Sequence, residues 1–197
     1  MSMNILAWAA WLAGAYLTGS VPFGFLIGRA RGVDVRTVGS KNIGATNVYR
    51  TVGKSWGLLA FLCDFLKGLL PTLAAMRWGG DANLPVCVGL ACVVGHTLTV
   101  FMRFRGGKGV ATAFGMMIAL VPCPALAAFA VFAVTVWISH YISLGSILAA
   151  ATLGASVWIA PAPALVRWIV TAIAVFVVVK HRSNIARLAK GCENRIY

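Results

Sequence analysis

The sequence predicts an all-α polytopic membrane protein with seven transmembrane helices, and three observations lead there. Of the 197 residues, 60% are hydrophobic and 11% charged, with a mean hydropathy of +0.89; a soluble domain needs far more polar surface to face water. The apolar residues run in segments near the length of a bilayer crossing. The basic residues collect in short blocks between those segments, the pattern of cytoplasmic loops under the positive-inside rule. The net charge of +13 therefore points to an anionic membrane face and not to a nucleic acid, which would ask for cations along one amphipathic face.

The first apolar segment covers residues 4–27. It is longer than the hydrophobic region of a signal peptide, and no Lys or Arg precedes it. The first cations, Arg29 and Arg31, follow it, which predicts an outside N-terminus. Further spans are predicted over 55–76, 84–102, 142–160 and 164–179. The stretch 109–138 is too long for one span and contains Pro122-Cys123-Pro124. Proline removes a helix donor and restricts the residue before it, so two short helices meeting at a turn are expected.

Charge parity decides between one helix and two. Two helices place Arg29, Arg31, Arg36, Lys41, Arg50, Lys54, Arg103, Arg105, Lys108, Lys180, Arg182, Arg187, Lys190 and Arg195 on the cytoplasmic side, 14 of the 17 basic residues. Only Lys67, Arg77 and Arg167 are left elsewhere. The expectation is one integral membrane domain over 1–197, with seven spans (those around Pro122 short), the N-terminus outside and the C-terminus cytoplasmic. The five cysteines (Cys63, Cys87, Cys92, Cys123, Cys192) form no CxxC pair, so neither a disulfide nor a metal site is expected.

Three polar motifs fall in the connections predicted to be cytoplasmic. Val38–Arg50 mixes Gly39, Gly44, Ser40, Asn42, Thr46 and Asn47 with Lys41 and Arg50. Glycines admit close backbone approach, and hydroxyl, amide and cationic donors suit an anion rich in acceptor oxygens, such as phosphate. An ordinary polar turn is the alternative. Arg105-Gly106-Gly107-Lys108-Gly109-Val110-Ala111-Thr112 opens a helix, where amides and the positive dipole end favour anions. It is no Walker A loop, because Lys108 is followed by Gly109 and not by Ser or Thr. His181-Arg182-Ser183-Asn184 and Gly191-Cys192-Glu193 form the third motif, with His140 and Ser143 at the remaining turn. Within a span, Asp64 and Lys67 stand three apart and predict an ion pair. For His96 two roles stay open, a site residue or an interhelical hydrogen-bonder.

Taken together, Gly39-Ser40-x-Asn42-x-Gly44-Ala45-Thr46-Asn47, Gly95-His96 with Gly106–Thr112, His181-Arg182-x-Asn184 and Gly191-x-Glu193 resemble the bacterial acyl-phosphate:glycerol-3-phosphate acyltransferases of the PlsY type. Ser20–Gly24 and Asp64–Gly68 share the likeness, which runs from about residue 16 to 195. Two departures stand out. Leu98 and Thr99 occupy positions where the family usually has an aromatic residue and proline, and Arg105 replaces the usual lysine.

The resemblance implies transfer of a fatty acyl group from acyl phosphate to the 1-hydroxyl of glycerol 3-phosphate at the inner membrane, on the cytoplasmic side, without a cofactor. It implies catalytic roles for Ser40, Arg50, Lys108 and Asn184. Asn42, Thr46, Asn47, Gly106, Gly107, Gly109, Thr112, Ser143 and His181 would bind substrate, and Glu193 would anchor the tail. Neither His96, His140 nor His181 has Asp five residues later, so the His-x4-Asp mechanism of other glycerol-3-phosphate acyltransferases is excluded. A transporter of phosphorylated solutes is the competing class. It predicts inverted repeats and several midplane polar groups, and the sequence offers only Asp64 and Lys67.

Overall fold

A computed structural model describes residues 3–196, and all regular structure in them is helical. Contacts divide the chain into two compact units, Met1–Ala119 and Leu120–Tyr197. In the first, α1 (Ile5–Ser20) breaks at Val21-Pro22 before α2 (Phe23–Ala30). A polar loop leads to α3 (Ala45–Thr51), then α4 (Lys54–Trp78) and α5 (Leu84–Thr97). A 3-10 turn at Val100–Met102 and the glycine loop precede α6 (Val110–Leu120). The second unit contains α7 (Pro122–Ser139), α8 (Ile142–Ser156), α9 (Ala164–Lys180) and α10 (Arg182–Ala189).

The expectation of seven crossings is corrected. Among the described residues, four helices are long and apolar enough to cross a membrane: Ile5–Ala30 (α1 with α2), Lys54–Trp78, Leu84–Met102 and Pro122–Ser139. A fifth is added if α9 and α10, bent by 52°, count as one. The break before Pro122 does split the 109–138 stretch. The resulting α6, however, has 11 residues and spans only about 16 Å at 1.5 Å per residue, against roughly 30 Å of hydrocarbon. With 15 residues, α8 reaches only about 22 Å. The cytoplasmic C-terminus rested on the parity of seven crossings and falls with them; the expectation of an outside N-terminus rests on Arg29 and Arg31 after the first segment and does not depend on the count.

Close helix approach builds the first unit. A methyl on Gly19 would overlap the Cys92 carbonyl, and one on Gly95 the Tyr16 carbonyl, so α1 and α5 meet backbone to backbone. Small residues serve this purpose in lipid, where packing and not hydrophobic transfer drives association. Two hydroxyls lock the same pair: Tyr16 donates to Leu98 O at 2.7 Å and Thr99 to Ser20 O at 2.6 Å. Thr99 has φ −66°, the value that proline fixes. It therefore keeps the backbone that proline would impose and adds a buried hydrogen bond. In the same way, Gly68 of α4 lies against the Thr112 carbonyl of α6.

In the second unit the turn between α7 and α8 is tight, with His140 in left-handed backbone at φ 63°. The tail returns to it, and Ile196 N–H donates to His140 O at 2.8 Å.

Candidate active site

The first motif is organised around Asn47, which is only 1% exposed. Its Oδ1 accepts the Ser40 N–H at 2.9 Å. Its Nδ2 donates to Val35 O at 2.8 Å and Val38 O at 3.2 Å. This side chain shapes the loop from beneath. Asn42 Oδ1 accepts the Gly44 N–H at 2.8 Å, an Asx-type turn that starts α3. Ser40 is exposed on the loop, whereas Thr46 and Arg50 are half-buried on the first and last turns of α3. The approach to the loop is fixed by charge. Arg36 forks onto Asp34 at 2.9 and 2.7 Å and lies 4.6 Å from the Phe25 ring. That hydrogen bonding holds the Asp34 carboxyl down at about 2.

The second motif is held by its own backbone. Gly106 N–H donates to Thr97 O and Gly107 N–H to His96 O, both at 3.1 Å. A methyl at Gly106 would overlap the His96 carbonyl, and one at Gly107 would overlap His96 Nε2. These two amides, which the sequence offered as anion donors, bond to carbonyls of the α5 terminus. Gly109 has φ 83°, a backbone that side chains rarely adopt, and it delivers the chain into α6. Lys108 is half-buried, and Thr112 is fully buried on the first turn of α6. Arg103 and Phe104, at φ 53° and 60°, make the sharp reversal before the loop, at a cost of roughly 1–2 kcal/mol each.

In the second unit, Glu193 gathers the third motif. Ser143 Oγ donates to its Oε1 at 2.9 Å, and Asn184 Nδ2 donates to the same oxygen at 2.7 Å. Arg187 Nε donates to Oε2 at 2.6 Å. Burial alone would raise the Glu193 carboxyl, but the donors outweigh it and hold it below its ordinary value of 4.5. His181 occupies the joint between α9 and α10 and is 3% exposed. Its Nδ1 lies 2.8 Å from Val177 O; a carbonyl only accepts, so the proton sits on Nδ1. Ser143 and Asn184 thus meet on one carboxylate oxygen, with His181 one helical turn before Asn184. The sequence did not single out Arg187 as a site residue, although its place four residues after Ser183 and its charge near Glu193, the one acidic residue of the tail, were visible.

All four acidic side chains are engaged by neighbours. Asp34 pairs with Arg36, Asp64 with Lys67 at 2.7 Å, and Glu193 with Arg187. Asp81 accepts the Asn83 N–H at 2.8 Å.

The glycerol-3-phosphate acyltransferase family model matches residues 9–191. The chain belongs to that family. It is 49% identical over 185 residues to the glycerol-3-phosphate acyltransferase of Trichlorobacter lovleyi, covering 94% of this chain and 95% of that one. The Aquifex aeolicus enzyme of the same description is 44% identical over 183 residues, covering 92% and 95%. Two crystal structures of PlsY, an integral membrane glycerol 3-phosphate acyltransferase, are similar at 42% identity over 95% of this chain and 94% of that one. The glycerol 3-phosphate form superposes with a TM-score of 0.90 and the lysophosphatidic acid form with 0.86. Together with its long apolar helices, this makes the chain a multi-pass protein of the bacterial inner membrane.

Proposed function

We propose that this protein transfers a fatty acyl group from acyl phosphate to the 1-hydroxyl of sn-glycerol 3-phosphate, releasing lysophosphatidic acid and phosphate as the first step of phospholipid synthesis. The observation that carries the proposal is the likeness, over nearly the whole chain, to PlsY in forms described by glycerol 3-phosphate and lysophosphatidic acid. The hydroxyl oxygen attacks the acyl carbonyl carbon, the new ester C–O bond forms, and the bond to the phosphate oxygen breaks. Phosphate leaves with the electron pair. A mixed anhydride is already activated, so no Ser or Cys nucleophile is required, and orientation with charge stabilisation supplies the rate.

Ser40, Arg50, Lys108 and Asn184 are the catalytic residues of this reading. Ser40, Arg50 and Lys108 bind phosphate, and Asn42, Thr46, Asn47, Gly106, Gly107, Gly109 and Thr112 form and brace their loops. Ser143 and His181 serve with Asn184. Two phosphorylated substrates repel each other, and cations offset that repulsion. Lys108 precedes the N-terminus of α6, where the helix dipole disfavours a cation; a bound phosphate relieves both charges. Every carboxylate has a structural partner, which favours a substrate phosphate oxygen as the acceptor of the hydroxyl proton.

The active site faces the cytoplasm in this reading, supported by the basic residues of the connecting segments. The whole chain acts as one integral membrane domain. Purified protein is expected to release phosphate from palmitoyl phosphate only when glycerol 3-phosphate is present. Turnover with palmitoyl-CoA and none with palmitoyl phosphate refutes the donor.

A further inference from the structure

Three ionisable side chains lie enclosed among the apolar helices of the first unit: Asp64 and Lys67 of α4 and His96 of α5, at 2%, 4% and 5% exposure. Lys67 Nζ is 2.7 Å from Asp64 Oδ1, and His96 Nδ1 is 3.5 Å from the same oxygen. A buried ion pair roughly breaks even against an apolar pair of similar volume. Helix packing alone therefore gives little reason to bury these charges.

Both ends of this chain of ionisable groups reach backbone that matters to the motifs. At one end, Lys67 Nζ donates to Val21 O at 2.8 Å and lies 5.6 Å from the Phe23 ring. Val21 is the break between α1 and α2, and α2 carries the first motif: a methyl at Gly24 would overlap the Ile43 carbonyl. At the other end, His96 meets the glycine loop twice. Its carbonyl accepts the Gly107 N–H at 3.1 Å, and its ring Nε2 fills the space that a Gly107 side chain would need. Lys108 is the next residue. The Asp64 carboxylate lies 3.5 Å from Nδ1, near enough to bias the turn of the imidazole without a formed hydrogen bond, as carboxylates orient histidines in other sites, and the ring is the surface on which Gly107 rests.

We propose that Lys67, Asp64 and His96 are positioning residues for acyl transfer, a buried relay that seats the Gly106-Gly107 loop and so aims Lys108, while tying it to the α1–α2 break that carries the first motif. The inference rests on the acyl-transfer reading above. An error of about 1 Å in the placement of a charged group costs up to roughly a hundredfold in rate, and loss of a supporting partner typically costs 10–100-fold.

Two variants test it, each read by kcat/KM for glycerol 3-phosphate and by thermal melting in detergent. His96→Asn keeps a nitrogen towards Asp64, leaves the ion pair intact and deletes the ring edge under Gly107. The double variant Asp64→Leu/Lys67→Met replaces both charges by apolar groups, so no charge is left buried alone. Both are expected to melt near the wild-type temperature and to lose about tenfold or more in kcat/KM. A smaller loss in either folded variant overturns the proposal, because charges that serve packing alone leave catalysis unmoved once stability is kept. If the double variant fails to fold, His96→Asn decides by the same threshold. The wild-type protein in the same assay separates the two ideas. No phosphate release from it refutes the acyl-transfer reading, whereas active wild type with equally active variants refutes only the relay.

Discussion

The glycine loop of the first unit and the tail of the second each hold a donor in place, Lys108 in one and Asn184 in the other, by different means. The loop is fixed by backbone: two glycine amides on two carbonyls, with no room for a side chain at either position. The tail is fixed by a single carboxylate that collects Ser143, Asn184 and Arg187. A backbone seat is set by sterics and by backbone hydrogen bonds. A carboxylate clamp depends on one ionised group. The first is broken by adding a methyl, the second by removing a charge.

The largest effect expected from this difference is at Gly106. Gly106→Ala drives a methyl into the His96 carbonyl, which has no flexible end to yield, so the loop must shift. Phosphate-release kinetics should show kcat/KM lower by about a hundredfold; a rate near wild type would mean that the loop does not aim Lys108.

A smaller effect is expected at the clamp. Glu193→Gln keeps the size and an oxygen for Ser143 and Asn184 but turns an amide N–H₂ towards Arg187 Nε. Thermal melting should show a loss of about 1.5–3 kcal/mol, the range for a hydrogen bond to a charged group. Acid should release the same clamp. Because the folded Glu193 carboxyl lies below its ordinary 4.5, its contribution is complete above that pH and is lost as pH falls through the folded value. Wild-type stability should therefore decline below about pH 4.5 by more than that of Glu193→Gln. Identical acid profiles for the two proteins would show that the clamp does not stabilise the tail.

The contrast also explains what the sequence made legible. The helices were readable because apolar runs are local: predicted 55–76 and 164–179 are found as Lys54–Trp78 and Ala164–Lys180. The break before Pro122 was readable because proline acts on its own neighbours. The number of crossings was not, since it turns on helix ends, and α6 and α8 stop short of bilayer thickness. The break at Val21-Pro22 carried the same proline signal but lies inside an unbroken apolar run. Residue type suggested phosphate chemistry for the motifs but not the direction of each donor. Asn47 turns inward to bond the loop carbonyls, and Gly106 and Gly107 turn their amides to α5. The link from Asp64 to His96 joins two helices at 32 residues' separation, beyond the reach of any local pattern.

Lys108→Ala tests the account most directly, because the proposed function and the proposed relay both turn on that ammonium. The measurement is phosphate release from palmitoyl phosphate with glycerol 3-phosphate, alongside thermal melting of the same preparation. The account predicts that turnover is abolished, a loss of at least about a hundredfold as for other charge-stabilising groups, while melting stays at the wild-type temperature. A near-normal rate in the folded variant would contradict it.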